Sequence, residues 1–459
     1  MASVLLNNLR SGKHKDLFKT NDEFAVYSTG FKSLDSINSF RITYTDGKGN
    51  ICSDIVEGVI GGRFITIVGS SGTGKSTLAD QIAWNIIKDF DEGLAIHVDV
   101  EQTVLRQRLL DTIGITTDDP RAERFIIDKH HTYVEDVLTM VDDICKEKEA
   151  AKDAAMYEAD GKWFGKKTIK VYQPTVIIVD SLPSFTSKTV DTAEVSTQMA
   201  TNREVNVVAQ FYTKLLAKMN KYNITIIATN HIRPKIVVDV YNQPPPQLML
   251  LKASETMPRG QAPVFYASTV LRLNASGKSA LLSKEEYGFE GFKCIAQAAK
   301  SKTSFIGGST PLIFTEDHGF DEAYTMLLAL YDNGLVCGMN YKNRDGLYVA
   351  SNPELKFSKA NFGEKYKNNP EFKAVIDKTL EPIFTKIALD KDARDQELEE
   401  ITKNVDVKSY MVIDKDGNAI ADNLIETESG KFEEYKAKKE DLIQLEPNSD
   451  AILNVANCA

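Results

Sequence analysis

Gly69-Ser70-Ser71-Gly72-Thr73-Gly74-Lys75-Ser76 reads G-x-x-x-x-G-K-S, and this stretch decides the fold class. The apolar run Arg63-Phe64-Ile65-Thr66-Ile67-Val68 leads into it, and Thr77-Leu78-Ala79-Asp80-Gln81-Ile82-Ala83 leads out with helical character. Strand, glycine-rich turn and helix in that order make a phosphate cradle. The glycines let backbone N–H groups close around phosphate oxygens, and the helix N-terminus adds the positive end of its dipole. Lys75 is placed to reach the β- and γ-phosphates and the Ser76 hydroxyl to hold Mg²⁺, with Thr77 opening the helix behind them. A Gly/Ser-rich turn without function is the bland alternative, which the two flanking elements disfavour. A nucleoside triphosphate with Mg²⁺ is therefore the expected ligand.

Working outward, strand-like runs alternate with helical stretches. Strands are expected at 63–68, 94–99, 125–127, 175–180 and 224–229, and helices at 76–90, 102–113, 133–158 and 194–221. Several strands are near-continuous apolar runs, as a parallel sheet buried on both faces requires, so the expected fold is α/β with a mostly parallel central sheet. Val176-Ile177-Ile178-Val179-Asp180-Ser181 is four apolar residues ending in an acid, about 105 residues after Lys75. Such a strand delivers Asp180 to the phosphates, where it holds Mg²⁺ through water.

His97-Val98-Asp99-Val100-Glu101 closes the second strand, and an acid just past that end faces the phosphates in a doubly wound sheet. Glu101 is the candidate to orient the attacking water, with Asp99 as its rival. Thr229-Asn230-His231-Ile232-Arg233 ends the fifth strand. A polar pair there can sense the γ-phosphate and pass its state to the Pro-, Gln- and Met-rich stretch 232–262. By spacing alone, a polar strand cap accounts for the pair slightly better.

The 459-residue chain is 42% hydrophobic and 26% charged, the balance of a soluble globular protein with two or three domains. No apolar run approaches a membrane span. Met1–Arg10 has too short an apolar stretch for a secretory leader, and Val4, Leu5, Leu6 and Leu9 suit a short amphipathic helix. Cys52, Cys145, Cys294, Cys337 and Cys458 are odd in number and lack metal-ligand spacing, so reduced thiols and a cytoplasmic location are expected. The net charge of −10 excludes a globally basic nucleic-acid binder, but residues 391–459 alone hold 17 acidic and 9 basic side chains. The remainder is close to neutral and has room for a basic groove. Residues 145–170 are charged and alanine-rich, with a kink at Gly161-Lys162-Trp163-Phe164-Gly165, and read as a helical extension or surface insertion.

In sequence order these motifs resemble the RecA family of recombinases, and most of all its phage UvsX branch. Ser28-Thr29-Gly30-Phe31-Lys32-Ser33-Leu34-Asp35 is similar to the family's lead into the core. The phosphate loop, the acid after strand two, the Val179-Asp180-Ser181 strand end and Asn230-His231-Ile232-Arg233 follow in family order. Pro258-Arg259-Gly260 and Phe265-Tyr266-Ala267-Ser268 resemble the close of the family's second DNA-binding loop and the helix after it. Lys300-Ser301-Lys302 matches its paired lysines, and weaker likeness runs from Asn340-Tyr341 to Phe384.

The resemblance implies a RecA-like P-loop core over 28–340, preceded by an oligomerisation helix and linker in 1–27. A small segment (341–390) and an acidic region (391–459) follow. It implies a DNA-dependent ATPase that polymerises on single-stranded DNA as a helical homo-oligomer and pairs it with a homologous duplex. A single-strand-binding protein and a loading mediator are expected partners, a membrane is not, and a phage-encoded protein would work in the host cytoplasm. Glu101 would position water, His231 would sense the γ-phosphate, and Lys300 and Lys302 would act on a neighbour's nucleotide. Where the family places an adenine-stacking tyrosine this chain has Leu105-Arg106-Gln107-Arg108, so the Arg108 guanidinium plane is the expected substitute.

DNA-binding loops are expected near 183–204 and 232–260. They offer the cations Lys188, Arg203, Arg233, Lys235, Lys252 and Arg259, with Phe185, Tyr241 and Met257 to stack or wedge. Without the resemblance, six such cations are equally well read as solvated surface. The acidic tail is either an intramolecular competitor for the groove or a solubilising appendage. Two rival functions are a hexameric helicase on the same core and a nucleotide-gated filament scaffold without productive turnover. The short stretch before the core and the Lys300/Lys302 pair weigh against the first. The intact Lys75, Ser76, Glu101 and Asp180 weigh against the second.

Overall fold

The computed structural model describes residues 23–46, 48–188, 198–235, 248, 251, 254–275, 281–287, 289–303, 306–339, 345–384, 409–413 and 419–425. Strand β1 (Phe64–Gly69) is buried at every position and lies inside a ten-stranded sheet. Its companions are β2 (Leu94–Asp99), β3 (Phe125–Asp128), β4 (Thr175–Asp180), β5 (Ile224–His231), β6 (Thr269–Asn274), β7 (Gly291–Ser301), β8 (Ser309–Thr315) and β9 (Gly319–Phe320). The spatial order is β3-β2-β4-β5-β1-β6-β7-β8-β9, with Leu281–Leu282 pairing beside β7. The strands from β3 to β6 run parallel, and β7, β8 and β9 continue the sheet antiparallel. The expected α/β fold with a mostly parallel sheet is what the chain adopts.

Helices α1 (Lys75–Ile87), α2 (Arg106–Ile113), α3 (Val134–Ala151), α4 (Gln198–Tyr222) and α5 (Ala262–Tyr266) accompany the parallel strands. Along β4, Val176 and Ile178 pack with Leu78, Ile82 and Ile86 of α1, while Ile177 and Val179 join Val137, Val141, Phe211 and Leu215 of α3 and α4. With a core on each face every position must be apolar, which is why the strand reads as an unbroken apolar run.

Two expectations are corrected. The helix expected over 133–158 stops at Ala151, where Lys152 takes φ +51 and leaves helical geometry. Of residues 145–170, expected as a helical extension or surface insertion, only 145–151 continue α3. The second half of the segment is an antiparallel hairpin, Met156–Asp160 with Thr168–Tyr172, turned through Gly165 at φ +66. The β-branched Thr168, Ile169 and Val171 favour the extended backbone. Trp163 in the connection donates to Asp54 at 3.2 Å and stacks on Phe24, docking this hairpin against a second one, Phe40–Thr45 with Ile51–Val56. The helix expected from 102 begins at Arg106, because Asp99 accepts from the Thr103 and Val104 amides and holds the intervening turn.

Helix α6 (Glu322–Asp332), the strands Val336–Gly338, Leu347–Val349 and Asn352–Phe357, helix α7 (Phe362–Asn368) and a helix over 370–384 share one apolar cluster from Ala323 to Phe384. The segment expected from 341 thus packs with α6. A separate unit, Leu389–Ala459, contains an antiparallel pair of Ser409–Ile413 with Ala419–Ile425. The expected N-terminal helix within residues 1–10 and its linker as far as residue 22, together with Asn340, Tyr341 and Cys458, lie outside the described residues. Cys52, Cys145, Cys294 and Cys337 are free thiols. Among the described residues no helix is long and apolar enough to cross a membrane.

Candidate nucleotide site

The loop Ser70–Gly74 leaves β1 and starts α1 with Gly72 at φ +76 and Gly74 at φ +83. Both values favour glycine, and a Cβ on Gly74 would also lie 2.8 Å from the Phe320 ring. Ser70, Ser71 and Gly72 are exposed, whereas Thr73 and Lys75 are buried beneath them. Thr73 Oγ1 and Lys75 Nζ both donate to the Ser70 carbonyl, at 2.9 and 2.8 Å. Burial lowers the Lys75 pKa, and the Asp180 and Glu101 carboxylates oppose that. A cation thus lies under an open loop at a helix N-terminus, with Thr77 packed toward Gly319 behind it.

Strand β4 ends at Asp180. Its carboxylate accepts hydrogen bonds from Ser76 of α1 and from Thr229 Oγ1 of β5. His97 of β2, fully buried, bridges Asp80 Oδ1 at 2.6 Å and faces Asp180 Oδ2 at 3.6 Å. Burial opposes charge on His97, yet Asp80 and Asp180 outweigh it and raise the pKa to about 10. Burial likewise pushes Asp180 up, but His97, Ser76 and Thr229 hold it at about 2. Asp180 is therefore a committed carboxylate beside a hydroxyl. This donor set fits Mg²⁺, which takes one or two protein oxygens and leaves the rest of its shell to phosphate and water.

The two acids at the end of β2 separate cleanly. Asp99 is 1% exposed, engaged by the Thr103 and Val104 amides and 3.4 Å from Lys129 Nζ. Glu101 is exposed, accepts from Ser181 Oγ at 2.5 Å, and is close enough to act on the charges of Lys75 and His231. Of the two, Glu101 faces the phosphate loop. His231, opposite Gly69 in the β5–β1 ladder, joins it there. Its pKa is lowered by burial and by Lys75. Asn230 is fully buried and donates to the Pro258 carbonyl at 3.2 Å.

Residues 27–235 match the family model described as ATPase: KaiC. Over this span the chain is similar to the KaiC-like ATPases, and its α/β sheet with the phosphate loop after β1 is consistent with a RecA-like P-loop ATPase core. No curated protein matches the chain.

Other expected residues fall at varied distances from the phosphate loop. Lys300 Nζ donates to the Val264 carbonyl and, at 2.9 Å, to that of Phe265, while Lys302 Nζ lies 3.5 Å from the Tyr266 carbonyl. Both cap the C-terminal end of α5, where cations are favoured. Lys300 pairs with Val270, and Thr269 with Ile65, so the two lysines sit at the opposite end of the strands from Gly69. Burial, with Lys302 nearby, lowers the Lys300 pKa to about 8. Arg108 is exposed on α2 and donates to the Asp317 carbonyl at 3.0 Å.

The DNA-loop expectations divide. Arg233 and Lys235 lie at a short ladder, Arg233–Pro234 with Glu255–Thr256, which closes the base of the 236–253 stretch. Lys188 is paired with Asp136, and Arg259 donates to the carbonyls of Leu182 and Pro183. Phe185 and Met257, expected to stack or wedge against bases, are corrected: both are buried in apolar clusters, at 0% and 3% exposure. Arg203 lies on α4, with its side chain outside the described set, and Tyr241 and Lys252 lie outside it altogether.

Sequence reading missed Asp80, His97 and Ser181. The first two carried a signal, being charged residues set inside otherwise apolar runs, where only a partnered charge is tolerated. Ser181 carried none.

Proposed function

We propose that the chain is an ATP-dependent DNA recombinase, most like the UvsX branch of the RecA family, assembling as a helical filament on single-stranded DNA and pairing it with a homologous duplex. The observation that carries this reading is the course of β5. It places Thr229 on Asp180 and His231 beside the phosphate loop, then runs straight into the ladder that closes the 236–253 stretch. Chain returning from that stretch meets Asn230 again through Pro258. The nucleotide site and the base of the 236–253 stretch are thereby joined within a few residues, which supports reading that stretch as a DNA-binding loop coupled to nucleotide state.

In this reading Lys75 binds the β- and γ-phosphates, Glu101 orients the attacking water and His231 responds to the γ-phosphate. Mg²⁺ at Ser76 and Asp180 would neutralise charge on the phosphates. Lys300 and Lys302, remote from their own phosphate loop, serve a neighbouring subunit. In the same reading Arg233 and Lys235 are cations that meet DNA.

The test is ATP hydrolysis with and without single-stranded DNA, beside electron microscopy of the complex. DNA should raise turnover. Glu101→Gln should keep nucleotide binding, slow hydrolysis roughly 10²-fold and leave long-lived filaments. The family match, whose description names an ATPase and nothing more, is equally compatible with one other reading, an ATPase whose turnover does not depend on DNA. Identical turnover with and without DNA, and no filaments, would select it.

A further inference from the structure

Arg259 sits at φ +66 and is followed by Gly260 at φ +70. A non-glycine residue in the left-handed region is sparse and persists where its surroundings over-determine it. Here they do. Arg259 Nε donates to the Leu182 carbonyl at 3.0 Å and Nη2 to the Pro183 carbonyl at 2.6 Å, while Asn230 holds the preceding Pro258 carbonyl. Hydrogen bonds from a guanidinium fork are stronger and more directional than neutral ones.

The two carbonyls belong to the residues directly after Ser181, whose hydroxyl donates to Glu101. Ser181 is 1% exposed, and its carbonyl accepts from the Ser184 and Phe185 amides. The Leu182 amide donates to Thr229. The peptide that presents the Ser181 hydroxyl is thus anchored to β5 on one side and to Arg259 on the other. The Arg259 anchor arrives from beyond the Arg233–Pro234/Glu255–Thr256 ladder.

We propose that Arg259 is a positioning residue for hydrolysis: its fork on the Leu182 and Pro183 carbonyls fixes the Ser181 hydroxyl that holds the Glu101 carboxylate. The inference rests on the reading of Glu101 as the group that orients water. Arg259 stands three residues past the ladder at the base of the 236–253 stretch, so whatever strains that base changes the placement of Glu101. A small displacement of a reacting group costs rate steeply.

The test uses basal hydrolysis by the full chain, without DNA, so it does not depend on recombinase activity. Arg259→Ala should lower kcat roughly 10-fold, the scale of a sub-ångström misplacement. KM should stay within about 2-fold, because ground-state binding is untouched. Arg259→Lys should recover part of the loss. In a Ser181→Ala background, Arg259→Ala should cost little more, since both changes act through one hydroxyl. Melting curves on each variant identify any that fail to fold, and Arg259→Lys and Arg259→Gln then carry the cycle. Additive losses in the double variant, or a folded Arg259→Ala with parental kcat, would overturn the proposal. Weaker DNA binding at parental kcat would make Arg259 a phosphate contact instead. Glu101→Gln measured alongside separates the two failures: parental kcat there removes the Glu101 reading itself.

Discussion

Lys75 is held in place before any ligand arrives, its ammonium on the Ser70 carbonyl and its charge opposed by burial. Lys75→Ala should lower ATP turnover by roughly 10²-fold or more, the cost of losing one preorganised charge at a developing anion, with the melting temperature little changed. Turnover at the parental rate would remove the phosphate-loop assignment. His97 makes a different kind of demand. Its pKa is raised from 6.5 to about 10, so its stabilising charge is fully present below pH 6.5 and is lost as pH rises toward 10. The parent's melting temperature should therefore fall over that window more steeply than that of His97→Asn, and equal slopes would place the pH dependence elsewhere. Gly69–Ser76 and Asp180 were legible in the sequence because their chemistry is local to one turn or one strand end. The Ser181–Glu101 and Arg259–Leu182 contacts were not, since their partners lie 80 and 77 residues apart and only the assembled sheet brings them together.

At the scale of elements, the parallel strands were legible because burial on two faces writes an unbroken apolar run into each. The hairpin Met156–Asp160 with Thr168–Tyr172 was not, because its half-exposed strands are rich in charge and their anchor is Trp163, set in a turn. Phe185 was misread for a related reason. It sits in a segment that resembles a DNA-binding loop, yet its ring meets Phe211 edge-on within the core against α4. Phe185→Ala should destabilise the protein by about 3–5 kcal/mol, as for other fully buried aromatic rings. Denaturant titration checks this, and a loss under about 1 kcal/mol would return Phe185 to the surface.

For the whole molecule, the charge imbalance is concentrated in one region, since residues 391–459 hold 17 acids against 9 bases. Truncation after residue 388, where the two units divide, should tighten binding to duplex DNA at low salt, with the gain shrinking as salt rises. A truncated chain that melts normally and binds no better would leave the tail a solubilising role. The order of strands has a practical consequence of its own. The family match ends at Lys235, but β1 takes its second neighbour from β6, and Phe314 and Phe320 close over Gly74. A gene fragment cut to the matched boundaries would leave one backbone edge of the phosphate-loop strand bare and a row of Ile and Leu side chains wet. It should be recovered as an aggregate, while a fragment running on through residue 384 should be purified folded. For this chain, the boundary drawn by sequence kinship and the boundary at which a polypeptide can stand alone are different lines.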